Sequence, residues 1–164
     1  MTAAGRSTGG TDRAGRIRGL RANSLAGLVM LLVEYGLGMW TNVYATLPAS
    51  DQGKATFAAF GAAVVHGPVG LALHALLGTL LVVTAVSVVV RASLVRRVPL
   101  IVVGCIALVA ILTAWLSGAK FVGDGANGAS FGMALATGVA ILGYATIVFI
   151  AVPVPGRSGA PSSN

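Results

Sequence analysis

The sequence predicts an all-α fold: a transmembrane four-helix bundle, up-down-up-down, with both termini cytoplasmic. Three observations predict it. Of 164 residues, 56% are apolar and 9% charged, where a soluble domain carries about 25% charged residues. Mean hydropathy is +0.90. Four stretches reach the length of about 20 apolar residues that a helix needs to cross about 30 Å of hydrocarbon. Finally, the basic residues are sorted: nine flank these stretches on one side and two on the other. The apolar fraction excludes disorder for the bulk of the chain. A lone cysteine, Cys105, excludes a disulfide framework and a cysteine-based zinc site.

Residues 1–20 hold Gly, Arg, Thr and Ala with little to bury, and are expected to form a disordered basic cytoplasmic tail. A membrane domain then runs over 21–152. Its first helix is expected at about 25–44. The basic segment, the apolar run and the small pair Val43 and Ala45 also resemble a cleavable signal peptide. Against cleavage stand the length of the run and its interruption by Glu34.

A long loop follows, 45–67, in which the piece ATFAAFGAAVVH fits either a short interfacial helix or a plain surface loop. The second helix is expected at 68–90, the third at 98–117 and the fourth at 130–152. The short 91–97 connection makes the second and third helices neighbours. The Gly-rich stretch 118–129 reads as a loop, and 153–164 (PVPGRSGAPSSN) as a second disordered tail. No internal repeat relates the two halves.

Arg6, Arg13, Arg16, Arg18 and Arg21 precede the first helix, Arg91, Arg96 and Arg97 join the second to the third, and Arg157 follows the fourth. Only Lys54 and Lys120 fall in the other two loops. This asymmetry places the arginines in the cytoplasm and the chain in the cytoplasmic membrane. It also accounts for the net charge of +7 without nucleic acid as a partner. The partners expected are the lipid bilayer, with its anionic headgroups near the arginines, and either further copies of the chain or a larger membrane complex.

Small residues mark the packing faces. Gly128, Gly132, Ala136 and Ala140 recur every four residues on the fourth helix, and Gly70, His74 and Gly78 on the second, with His66 extending that series into the loop. Glu34 and Gly38 share a face of the first helix, with Thr41 and Asn42 one turn further along. Trp40, Tyr44 and Trp115 are expected as interface anchors at helix ends.

Two side chains stand out chemically. Glu34 lies 13 residues beyond Arg21 and 10 before Tyr44, near mid-membrane, where an ionised carboxylate costs on the order of 3 kcal/mol to insert. It reads as a proton-relay or polar-substrate group, or as structural glue to a neighbouring helix. His74 lies six residues after Pro68, about 9 Å along the helix. Glu34 is the deeper of the two by this count, so direct contact needs helix tilt or a bridging water. His74 reads as a packing histidine bonded to Glu34, Asn42 or a carbonyl, as a haem ligand, or as a proton or ion site.

The segment GLALHALLG resembles the haem-ligating helices of four-helix b-type membrane cytochromes and one half of the haem A synthase bundle. That resemblance implies haem b, with His74 as an axial ligand. Those proteins pair histidines across two helices, and the third and fourth helices here contain none. His66 is eight residues away, about 12 Å along the axis, and cannot face His74 across one iron. Met39 and Met133, at matching depth, are the candidate second ligands, or His74 of a second copy. The pattern LGMWTNVY followed by LALHALLG is also similar to small four-span proteins of high-GC Gram-positive bacteria, a resemblance that implies no particular activity.

Other motifs are set aside. Gly123, Gly125 and Gly128 fit G-x-G-x-x-G, but the fingerprint needs a strand and a βαβ unit, so a turn is the better reading. Ser87, Ser117 and Ser130 have no histidine at their depth with an orienting acid. Two histidines and four carboxylates do not suggest a metal hydrolase, and Cys105 sits mid-helix in an apolar run. The reading leans away from an enzyme. It favours a non-enzymatic structural or accessory subunit of a membrane assembly. The alternatives are a b-type haem protein using His74, and a small permease or proton pathway using Glu34 and His74.

Overall fold

The computed structural model describes residues 8–44, 53–125 and 127–152. Among the described residues it is all-α, with five helices: α1 (Thr8–Tyr44), α2 (Thr56–His66), α3 (Val69–Val95), α4 (Val98–Asp124) and α5 (Asn127–Ile150). Four of them, all but α2, are long and apolar enough to cross a membrane. They pack in ring order, α1 against α3, α3 against α4, α4 against α5, and α5 back against α1. Large apolar side chains such as Leu32, Val33, Val83, Val109, Leu142 and Phe149 are more than half exposed around the outside. Apolar surface on that scale is foreign to a water-soluble monomer and suits lipid.

The buried positions explain why the helices associate. On α1 they are Ile17, Leu20, Ser24, Gly27, Leu31, Glu34 and Thr41, with half-buried Gly38 between the last two. On α3 the seam positions are Leu71, Leu81, Ala85, Val88, Ala92 and Val95, with half-buried His74 and Gly78 completing the series and Gly70 buried beside Leu71. Both series advance in alternating steps of three and four, the seam of a left-handed bundle. Numbers ascending on α1 meet numbers descending on α3: Glu34 abuts Gly78, Gly38 abuts His74, and Trp40 covers Gly70. The same opposed register joins α4 to α5, where Gly118 meets Met133 and Ala107 meets Gly143.

Several boundaries differ from the sequence expectation. The helix expected from about residue 25 begins at Thr8. The stretch 1–20, expected as a disordered tail, is therefore helical from Thr8 on. Its physical reason is that Ile17 and Leu20, 2% and 0% exposed, continue the α1 seam into the main core. The 118–129 loop shrinks to a turn because α4 runs on to Asp124, with Ala119 and Val122 buried. Gly125 ends it in a left-handed conformation (φ 63°), its N–H donating to the Phe121 carbonyl at 2.8 Å. At the 91–97 connection α3 extends to Val95, and Arg96 (φ 56°) forms the left-handed cap. The segment within 45–67 is a helix, α2, packed on α3 and α4. The C-terminal tail 153–164, residues 1–7 and 45–52, and thus the Val43–Ala45 cleavage reading, fall wholly or partly outside the described residues.

Two apolar clusters result. The larger joins Ile17 and Leu20 to Val88, Leu100, Tyr144 and Ile147 at one end of the bundle. The smaller joins Ala59 and Ala63 of α2 to Leu71 and Val122 at the other. Between them the packing opens.

Candidate functional site

The opening is a cavity of about 450 Å³. Leu31, Leu81 and Ile111 from the larger cluster floor it, and Ala63, Leu71 and Val122 from the smaller one close it. It exists because the seam residues at this level are small or polar. Gly38 on α1, Ala75 and Gly78 on α3, Ala114 and Gly118 on α4, and Ala134 on α5 leave volume unfilled. A hydrogen bond from Gly53 N–H to the Gly123 carbonyl (2.9 Å) ties the approach to α2 to the end of α4. Phe60 of α2 then reaches into the cavity wall.

Glu34 and His74 meet on this wall. Imidazole Nδ1 stands 2.9 Å from Glu34 Oε1. The distance is that of an ion pair, although Nδ1 completes no hydrogen bond among the described residues. Glu34 Oε2 has no partner among the described residues, although the residue is 8% exposed. Direct contact replaces the tilt or bridging water expected from the depth count. The register sets Glu34 beside Gly78, one turn along α3 from His74, and a rise of about 5.4 Å lies within reach of the two side chains. The bare backbone of Gly38 and Gly78 makes room for both: a methyl group on Gly38 would come 3.0 Å from His74 Cε1, and one on Gly78 would come 3.1 Å from Glu34 Oε1.

An unsatisfied polar atom of this kind costs about 1–3 kcal/mol, more where the group is charged. Buried charges are otherwise paired or ligated. The cavity lining carries further polar groups: Thr41, Asn42, Ser130 and Thr137. Ser130 Oγ donates to Asn42 Oδ1 at 3.3 Å, joining α5 to α1. Thr41 and Thr137 bond back to their own helices, to the Leu37 and Met133 carbonyls, each at 2.8 Å.

Of the other residues read from the sequence, Met39 and Met133 line the same cavity. Met39 is half exposed, and the Met133 sulfur lies against Gly118. His66 ends α2, exposed. Trp115 departs from the end-of-helix anchor expected of it, because α4 continues nine residues beyond it. It is half-buried instead, stacked at a tilt on Phe60 (centroids 4.9 Å), with its indole N–H donating to Thr79 Oγ1 at 3.1 Å. Trp40 packs over Gly70 and against Tyr44, with centroids at 6.1 Å. On α5, Gly132, Ala136 and Ala140 are partly or wholly buried, and Gly132 faces Ser117, whereas Gly128 is exposed with nothing beside it. Tyr35, Phe60, Phe121 and Thr137 line the site without having been singled out from the sequence.

A carboxylate behind an imidazole is the arrangement that orients metal-ligating histidines. Haem, however, needs a flat slot, and the surface around His74 is not bare: Trp40 covers Gly70, and Glu34 and Trp115 crowd Gly78. The residues present do not fit a b-type haem. No group of three or more His, Cys, Asp or Glu side chains that could hold a metal ion occurs among the described residues. Comparison with protein-family models, curated proteins and solved structures finds no match to this chain.

Proposed function

We propose that this chain is a multi-pass protein of the cytoplasmic membrane that binds a small, mostly apolar molecule inside its helix bundle. Four apolar helices and their exposed Leu and Val faces support the membrane reading. The opposed registers and the arginine asymmetry support an up-down bundle with cytoplasmic termini. One observation carries the binding reading. Glu34, whose Oε2 is buried without a partner among the described residues, lines a cavity of about 450 Å³ whose walls are otherwise largely apolar. Ligand sites combine an apolar enclosure with a few convergent polar groups in this way. A structural or accessory subunit, alone or in a homo-oligomer, needs no such cavity.

Calorimetric titration of the protein in zwitterionic lipid nanodiscs with neopentylbenzene, a neutral hydrocarbon probe, tests the reading. Saturable binding is expected, lost when Ala75→Leu and Ala114→Leu together fill the cavity. Identical heats from wild type and the filled variant would end it.

A second reading, a proton or ion pathway, is favoured by the direct Glu34–His74 approach. It requires a pH-dependent flux in liposomes that Glu34→Gln abolishes. Wild-type protein without flux removes it.

A further inference from the structure

The chemistry of the cavity wall narrows the class of ligand, an inference that rests on the binding reading above. Among the described residues, Glu34 is the only acid lining the cavity, and no lysine or arginine lines it. His74 is the one basic group there, and it lies against the other carboxylate oxygen, Oε1, at 2.9 Å. An anion would meet a carboxylate and no lysine or arginine in a low-dielectric enclosure and be disfavoured.

Aromatic rings complete the wall. Tyr35, Phe60, Trp115 and Phe121 come from α1, α2 and α4. Trp115 and the carboxylate converge: Glu34 Oε1 and Trp115 Cδ1 both abut the same point over Gly78, at 3.1 and 3.7 Å. Trp115 is fixed there by its bond to Thr79 and by its ring contacts with Phe60 and Phe57. A neutral hydrogen-bond donor would satisfy Oε2 alone. A cation uses the carboxylate and the aromatic wall together, and the ring quadrupole attracts cations most strongly where water is excluded.

We propose that the ligand is a lipophilic cation, an organic ammonium with an apolar body, whose charge sits between Glu34 and the Trp115–Phe60 pair. The test compares benzyltrimethylammonium with its neutral isostere neopentylbenzene, by calorimetry in zwitterionic nanodiscs. The cation is expected to bind at least about tenfold more tightly, the equivalent of one well-placed charge contact. Glu34→Gln should remove that preference, the two probes then binding that variant with equal affinity. Trp115→Leu should weaken the cation about tenfold and the hydrocarbon far less.

Equal affinity for the two probes in wild type would overturn the inference and leave the binding reading standing. Saturable binding of neither probe would overturn both. Should Glu34→Gln fail to fold, the wild-type preference between the isosteres decides the matter by itself.

Discussion

Two glycines on one helix should respond to the same substitution with opposite signs. Gly27 lies on the α1 seam, and the ring of Tyr144 from α5 occupies the space a side chain would need. A methyl group there would overlap Tyr144 Cε1 and come 2.9 Å from Cδ1 and 3.2 Å from Cζ. Tyr144 is 0% exposed, so its ring has nowhere to retreat. Overpacking of this kind costs about 1–3 kcal/mol. Gly36, nine residues along the same helix, has nothing within 4 Å of its added methyl. There alanine contributes only its helix preference, about 0.5–1 kcal/mol of stabilisation. That preference is common to both sites, so the difference between Gly27→Ala and Gly36→Ala isolates the packing cost, about 2 kcal/mol.

Reversible unfolding in mixed micelles, followed by helical circular dichroism as denaturing detergent is added, measures both variants. Shrinking the opposing ring with Tyr144→Leu in the Gly27→Ala background should recover part of the loss, because contacting residues couple. Equal stabilities for the two alanine variants, within about 0.5 kcal/mol, would show that α1 and α5 do not meet at Gly27.

Other outcomes follow from the same packing. The Tyr144 hydroxyl is buried with no hydrogen-bond partner among the described residues, so Tyr144→Phe should leave stability unchanged or raise it by about 1 kcal/mol in the same micelle titration. A loss above that size would mean the hydroxyl is bonded. The arginine asymmetry predicts that a reporter active only in the cytoplasm works when fused after Asn164 and fails when inserted between α1 and α2. The reverse pattern would invert the topology.

Long apolar helices were legible because lipid imposes a simple rule of length and composition. The 98–117 expectation falls inside α4 and the 68–90 expectation inside α3 but for Pro68, its N-cap, for that reason. Their extensions were not legible from hydropathy. Ile17 and Leu20 are isolated among Arg and Gly, and only the three-four seam that links them to Leu31 and Thr41 shows that they belong to the bundle. Likewise Lys120 interrupts the apolar run that carries α4 on to Asp124.

Glu34 and His74 stood out because polar groups are costly in hydrocarbon. Their contact was one alternative among several, because depth counted along each helix separately says nothing about register between helices. The aromatic wall was the least visible part. Phe60 reaches the site from α2, a helix the sequence left undecided, and Phe121 from a stretch read as loop. Trp115 looked like an interface anchor because the end of its helix was placed too early.

The approach of Glu34 to His74 is the central claim, and the composition makes it directly measurable. The chain holds a single glutamate and two histidines. With His66→Asn, labelled glutamate and histidine report on Glu34 and His74 alone. Dipolar recoupling between the Glu34 carboxyl carbon and His74 Nδ1, in protein reconstituted in bilayers, reads their separation. Strong dephasing, as the 2.9 Å Nδ1–Oε1 contact requires, is the predicted result. An undiminished echo would place the two side chains apart and contradict the site.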